Sequence, residues 1–155
     1  MELKVGDTAP LFDSVTESGE RFSLSNSLGK SNVVLYFYPK DFTAGCTKEA
    51  CTFRDNWERA TSLGATVVGI SSDSPETHAR FKREHGLQFT LVSDEDKRIR
   101  KLYGVDGWLI PPRVTFVIDR QGKIRKIFNS QVNVTKHIEE SLRALDGISN
   151  KEVVN

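Results

Sequence analysis

Six apolar residues in succession, Val33-Val34-Leu35-Tyr36-Phe37-Tyr38, leave a strand without a polar face. Successive side chains of a strand point to opposite sides, so both sides of this one must be covered. That requirement places it in the middle of a sheet that carries other elements on both faces. Asn32 opens the run and Pro39 ends it. Few small architectures offer such a position, and the commonest is a largely parallel sheet with helices above and below.

The remaining punctuation fits that choice. Leu11 to Thr16 and Arg21 to Leu24 flank Glu17-Ser18-Gly19 and read as a hairpin. A helix is expected from Cys46 to Leu63, with Ala50, Phe53, Trp57 and Ala60 as its apolar stripe and Gly64 as its stop. Thr66 to Ser71 reads as a strand. Ser74 and Pro75 mark a helix start, and Gly86 its end. A short strand follows at Phe89 to Val92, then a helix from Asp94 to Tyr103 closed by Gly104. Val114 to Ile118 and Ile124 to Phe128 form a second hairpin about Asp119-Arg-Gln-Gly122. Thr135 to Leu145 is the final helix. The fold expected is an α/β three-layer sandwich with a mixed, mainly parallel sheet, helices on both faces and an N-terminal hairpin. Residues 1–148 make one domain, and residues 149–155 read as a flexible C-terminal tail.

Composition narrows the function. Lys and Arg number 22 against 21 Asp and Glu, so the chain lacks the basic stripe of a nucleic-acid binder. No apolar run approaches the roughly 20 residues of a membrane span. Met1-Glu-Leu-Lys-Val-Gly-Asp7 holds no apolar signal region, which points to a cytoplasmic setting. There, a chain with two cysteines uses them for catalysis or metal binding more often than for staples.

Those cysteines, Cys46 and Cys51, follow the central strand across a loop, and Cys46 opens a helix. Ligands collect beyond the carboxyl ends of strands in such sheets. Unpaired N–H groups at a helix start stabilise a thiolate, the nucleophilic form of cysteine. Thr43 can set a hydroxyl beside the sulfur or simply satisfy loop backbone, and Gly45 permits close backbone approach. Five residues along a helix advance about 7.5 Å and turn about 140° past whole turns, which separates the two Cα atoms by roughly 8–9 Å. A disulfide spans at most about 7 Å, so the two cysteines can bond only if the helix start unwinds. Cys51 taken alone also fits a small buried apolar group. Cys-x4-Cys is not a zinc spacing, and His78, His85 and His137 show no ligand pattern, so no metal is expected and the histidines read as solvated or structural.

Pro39-x-x-x-Thr43-x-x-Cys46 resembles the active-site signature of the peroxiredoxins, and Thr47-x-Glu49-Ala50-Cys51 resembles their Q-type branch, also called bacterioferritin comigratory protein. Val5-Gly6-Asp7-x-Ala9-Pro10, Val67 to Ser71 and Arg113-x-Thr115-Phe116-Val117-Ile118-Asp119 extend the resemblance over nearly the whole chain. It implies a thioredoxin-like fold and a thiol peroxidase acting on hydrogen peroxide and organic hydroperoxides. In that likeness Cys46 is the peroxidatic cysteine and Cys51 the resolving one, joined within one chain by a disulfide that a thioredoxin-type protein reduces. Thr43 bonds thiolate and peroxide, Pro39 shields the pocket, and Arg113 reaches in from a neighbouring strand. The branch includes monomers and dimers, and the expectation is a monomer or weak homodimer.

The chemistry suits the residues. Sulfur attack on an O–O bond leaves charge on the departing oxygen, which Arg113, the Thr43 hydroxyl and the Cys46 N–H could stabilise. Glu49 could hold Arg113 by an ion pair, or serve only as a first-turn carboxylate. The sulfenic acid formed would condense with a thiol. No metal, haem or flavin is required. A redox-switched binding module that exposes Phe53 and Trp57, and an inert domain of the same fold, are the rival expectations.

Overall fold

The computed structural model describes residues 2–107 and 111–154, with side chains to residue 149. Strand β3 (Asn32–Phe37) is buried along its full length and lies at the centre of a five-stranded sheet. The sheet runs β5 (Thr90–Ser93), β4 (Ala65–Ser71), β3, β6 (Val114–Ile118), β7 (Ile124–Asn129). β3 pairs in parallel with β4, and β4 with β5, while β6 is antiparallel to both β3 and β7. Four of the five strands therefore share a direction, with β6 reversed.

The period of two in β3 divides the core. Val34, Tyr36 and Tyr38 face one cluster, with Ala50, Phe53, Ile138, Leu142 and Leu145. Val33, Leu35 and Phe37 face the other, with Phe12, Leu24, Ile99 and Tyr103. The first cluster lies under α1 (Ala44–Asp55), α2 (Trp57–Ser62), α3 (Pro75–His85) and α5 (Val134–Val154). The second lies under α4 (Arg98–Leu102) and the N-terminal segment. The expected hairpin is β1 (Asp13–Val15) with β2 (Arg21–Ser23), a separate two-stranded sheet that touches β5 through a bridge from Thr16 to Val92.

Several boundaries move for local reasons. The helix expected from Cys46 to Leu63 starts two residues earlier and breaks at Asn56. There the side-chain amide donates to the Thr52 carbonyl at 2.9 Å, beside the backbone N–H that shares it. An asparagine that competes for a helical carbonyl in this way interrupts the ladder. The fourth helix begins at Arg98 and not Asp94. Asp94 instead accepts from the N–H groups of Ile99 and Arg100, both at 2.9 Å, and so caps the helix from outside. Lys97 turns the chain at φ 61°. β5 is shifted one residue onward, to Thr90–Ser93. α5 runs nine residues past Leu145, through positions where the sequence suggests a tail; Asn155 lies outside the described residues. α3 keeps the expected form, with the Ser74 hydroxyl accepting from the Thr77 N–H and Gly86 at φ 60°.

Phe37 is opposite Ile70 on one side and Val114 on the other. Arg113 therefore enters β6 at the end of the sheet where the chain leaves β3. Packing there is tight: a Cβ at Gly69 would lie 2.9 Å from the Tyr36 ring and hydroxyl and 3.0 Å from Leu91. We expect Gly69→Ala to destabilise the fold by about 1–3 kcal/mol. Urea unfolding measures this, and an unchanged midpoint would contradict it.

Candidate active site

Three carriers converge at one end of the sheet: the loop after β3, the first turns of α1, and the start of β6. The loop is tied down before it reaches the helix. Asp41 is buried and accepts from the Tyr38 hydroxyl at 2.5 Å, and its other oxygen lies 2.6 Å from His78 Nδ1. The Asp41 N–H donates to Asp73 at 2.8 Å, and the Ser71 hydroxyl donates to the same carboxylate oxygen. The next residue, Phe42, adopts φ 66°, unusual for a bulky side chain, and is 38 % exposed. Its ring meets Phe81 edge-on and carries the Arg80 guanidinium at 4.8 Å.

Thr43 is the N-cap residue of α1 by position, and its carbonyl accepts the first helical bond from Thr47. Its hydroxyl caps nothing; it donates to the Lys40 carbonyl at 2.9 Å. The N–H groups of Ala44, Gly45 and Cys46 precede that first bond, so they carry the unpaired partial charge of the helix start.

Cys46 is 1 % exposed, and Arg113 Nη1 lies 3.4 Å from its sulfur. The same nitrogen donates to Glu49 at 2.7 Å. Gly45 makes room for this arrangement, since a Cβ there would stand 3.1 Å from Arg113 Nη2. Pro39 is half-buried beside the loop. Cys51 is free, half-buried and turned away, its sulfur 3.9 Å from His85 Nδ1. Of the residues singled out from the sequence, Cys46, Arg113, Glu49 and Gly45 are brought together, Thr43 and Pro39 border them, and Cys51 stands apart.

Beneath the ion pair lies a histidine that sequence reasoning left as solvated or structural. His137 is fully buried. Its Nε2–H donates to the Ser130 carbonyl at 2.7 Å, and its Nδ1 accepts from the Thr115 hydroxyl at 2.8 Å and lies 3.6 Å from Glu49. Burial first, and then the Arg113 charge, push its pKa down to about 4 against one opposing hydrogen bond to Ser130, so the ring is neutral. Burial also drives Glu49 up to about 7, although Arg113 pulls the other way. Burial works against the charge of Arg113 as well, but Glu49 and then Cys46 outweigh it and raise its pKa. A second missed residue is Arg100, buried on the opposite side of β3, whose guanidinium donates to the carbonyls of Tyr38, Val105 and Pro112. It thereby links the residue before Pro39 to the residue before Arg113. The signals were slight: Thr115 is a polar residue at an inward position of an apolar strand, and Arg100 an interior charge in a short helix.

Among the described residues, Asp41, Asp73 and His78 bring potential metal ligands within 4.8 Å of one another. Their nearest atoms are already engaged in the bonds that fix the loop.

The model of the AhpC/TSA family matches residues 5–127. The chain is 45 % identical over 150 residues to a chloroplastic peroxiredoxin Q of Populus jackii, covering 95 % of this chain and 70 % of that one. The crystal structure of peroxidoxin BcpB from Mycobacterium tuberculosis superposes with a TM-score of 0.90 at 36 % identity, over 95 % of this chain and 99 % of that one. The crystal structure of a cysteine-to-serine mutant of Xylella fastidiosa PrxQ does so with a TM-score of 0.84 at 31 % identity, over 96 % and 99 %.

Glu49 and His137 have opposite effects on stability. Glu49 titrates at 4.5 unfolded and about 7 folded, so the folded state holds the extra proton and stability falls as pH rises through that window. His137 titrates at 6.5 unfolded and about 4 folded, so stability rises with pH between those values. Relative to Glu49→Gln, the parent should lose up to about 3 kcal/mol between the two ends of the Glu49 window. Denaturant titrations of both proteins at several pH values give this difference. A difference that is constant or grows with pH would contradict a raised Glu49 pKa.

Proposed function

The chain belongs to the AhpC/TSA family, in its peroxiredoxin Q branch, and is a thiol-dependent peroxidase; on that premise we propose that Cys46 reduces the peroxide and Cys51 resolves the product. The observation that carries the assignment is the buried guanidinium of Arg113 at 3.4 Å from the Cys46 sulfur, held by Glu49 at 2.7 Å.

Peroxide approaches past the exposed Thr43 and the half-buried Pro39. The Cys46 thiolate attacks one oxygen, the S–O bond forms, and the O–O bond breaks. The leaving alkoxide or hydroxide takes a proton and departs as alcohol or water, and Cys46 is left as a sulfenic acid. The charge that develops on the departing oxygen meets Arg113, the N–H groups at the start of α1, and the Thr43 hydroxyl once it rotates away from Lys40. A guanidinium serves here because it cannot surrender its proton to the leaving group's site and keeps its charge throughout. Glu49 positions it by the ion pair at 2.7 Å.

The Cys51 sulfur then attacks the sulfenic sulfur, forming the intramolecular disulfide and releasing water. In the wound helix the two residues lie on nearly opposite faces, so the turns between them open first. A thioredoxin-type dithiol reduces the disulfide by exchange. Hydrogen peroxide and organic hydroperoxides both fit a site whose donors address only the two oxygens. With both cysteines on one chain and the bridge formed between them, the cycle asks for no more than a monomer or weak homodimer. The cytoplasm, with its reducing poise, is the compartment that returns the thiols for the next turnover.

Cys46→Ser should abolish peroxide consumption with a thioredoxin system, and Arg113→Gln should lower kcat/KM by about 10²–10³-fold. Cys51→Ser should permit one oxidation and then stall or slow. After one equivalent of peroxide, mass spectrometry of the parent should show loss of two hydrogens and a Cys46–Cys51 linked peptide. Peroxide consumption by Cys46→Ser at the parent rate would overturn the assignment.

A further inference from the structure

Resting on the resolving role of Cys51, we propose that His85 is a further catalytic residue, the base that takes the Cys51 thiol proton before the disulfide forms. The imidazole Nδ1 lies 3.9 Å from the Cys51 sulfur, at the outer reach of a sulfur hydrogen bond. Both groups are half-buried, so the contact is only partly screened by water. Nothing in the spacing of residues 51 and 85 announces it.

The surroundings hold His85 in place beside the sulfur and set a guanidinium within reach of it. Its ring is fixed edge-on to Phe81 at 5.0 Å and packs near Phe42 at 6.4 Å. From α1, Arg54 donates to the His85 carbonyl at 2.7 Å, and Gln88 donates back to the Arg54 carbonyl at 3.2 Å. The charged group tied to the pair is thus Arg54, with its partner Asp55 at 3.0 Å, while Arg80 lies over the Phe42 ring that His85 packs near. The Arg54 charge is supported first by Asp55 and also by the Cys51 sulfur, so the guanidinium is within electrostatic reach of that sulfur.

These ties also locate Cys51 at a boundary. Phe53 is stacked on Tyr36 at 4.6 Å and Arg54 is bonded to α3, so the helix is secured just past residue 51. The turns that must open lie before it. Deprotonation therefore belongs to the wound state, where His85 is in contact; the thiolate then swings out as the leading turns unwind. In the step, the Cys51 S–H bond breaks and the proton passes to Nδ1. The sulfur pair forms the S–S bond, the Cys46 S–O bond breaks, and the departing hydroxide collects a proton to become water. No outside oxidant is needed, because the sulfenic acid is the one reduced.

Free imidazole and thiol titrate near about 6.5 and 8.5. A histidine base should therefore let disulfide formation run at neutral pH, where an unassisted thiol is only a few per cent ionised. The experiment follows the Cys46–Cys51 bridge by acid quench and mass spectrometry after one equivalent of peroxide, from pH 5.5 to about 9. His85→Gln should form the bridge about 10-fold more slowly than the parent near pH 7 and converge with it near pH 9, where the thiol loses its proton without a neighbouring base. His85→Ala with imidazole in the buffer should recover rate near pH 7. Curves displaced equally at every pH, or superposed, with no imidazole rescue, would reduce His85 to a packing residue and overturn the inference. A parent that never forms the bridge would instead remove the resolving role of Cys51, and this inference with it.

Discussion

A guanidinium and a carboxylate, Arg113 and Glu49, meet at 2.7 Å where water barely reaches, and the rest of the site is arranged around the cost of burying them. An ion pair in such surroundings does not repay its own desolvation. It persists because the fold supplies what either group alone would lack. Glu49 projects from α1, Arg113 from the start of β6, and Gly45 leaves the space between them open. The residual cost shows in Glu49, whose carboxyl is pushed up to about 7. The return is functional: with one partner anchored, the guanidinium presents a nitrogen to Cys46 that side-chain rotation does not have to find. Preorganisation of this kind costs stability in the resting protein and removes reorganisation from the reaction.

The same helix that delivers Cys46 separates it from Cys51. A rigid α1 favours the first chemical step, because its unpaired N–H groups and the guanidinium must be in place together. The second step needs α1 to give way. The molecule reconciles these needs by distributing its ties unevenly. Past Cys51, α1 is held by the Phe53 stack and by Arg54, while Ala44, Lys48 and Thr43 before it are exposed. On the other side of the opening turns, Asp41 is fixed by Tyr38, His78 and Asp73. Movement is thereby confined between two anchors, and the opening turns take the buried Cys46, Glu49 and Ala50 with them, so each turnover must loosen the Glu49–Arg113 pair and remake it.

How much of this could be read from the chain follows from which forces are local. The buried strand, its partners and the Ser74–Gly86 helix were readable because apolar runs, caps and left-handed glycines act within a few residues. Cys46 could be named because helix starts beyond strand ends have a known place in a parallel sheet, whereas Arg113, and Glu49 as its partner, could be named only through the resemblance to the peroxiredoxin signature. The break at Asn56 and the late start at Arg98 were hidden, since each turns on a side chain competing for backbone: Asn56 for a carbonyl, Asp94 for two N–H groups. His137 and His85 were hidden for another reason. Their partners stand 88 and 34 residues away, at Glu49 and Cys51, and no spacing rule connects them.

That distance explains why the three histidines, which looked alike in the sequence, take three different electrical roles. His78 lies against Asp41 and secures the loop. His137 is kept neutral by burial and by the nearby guanidinium, so it can border Glu49 without adding a cation to a site that already holds one. A protonated ring there would compete with Arg113 for the carboxylate and loosen the group that faces the sulfur. His85 alone of the three is half-buried and beside a thiol and, among the described residues, meets no carboxylate. Chemistry follows from the neighbour each ring meets, and the neighbour is set by the sheet order β5-β4-β3-β6-β7. That order carries α3 to one flank of α1 and α5 to the other.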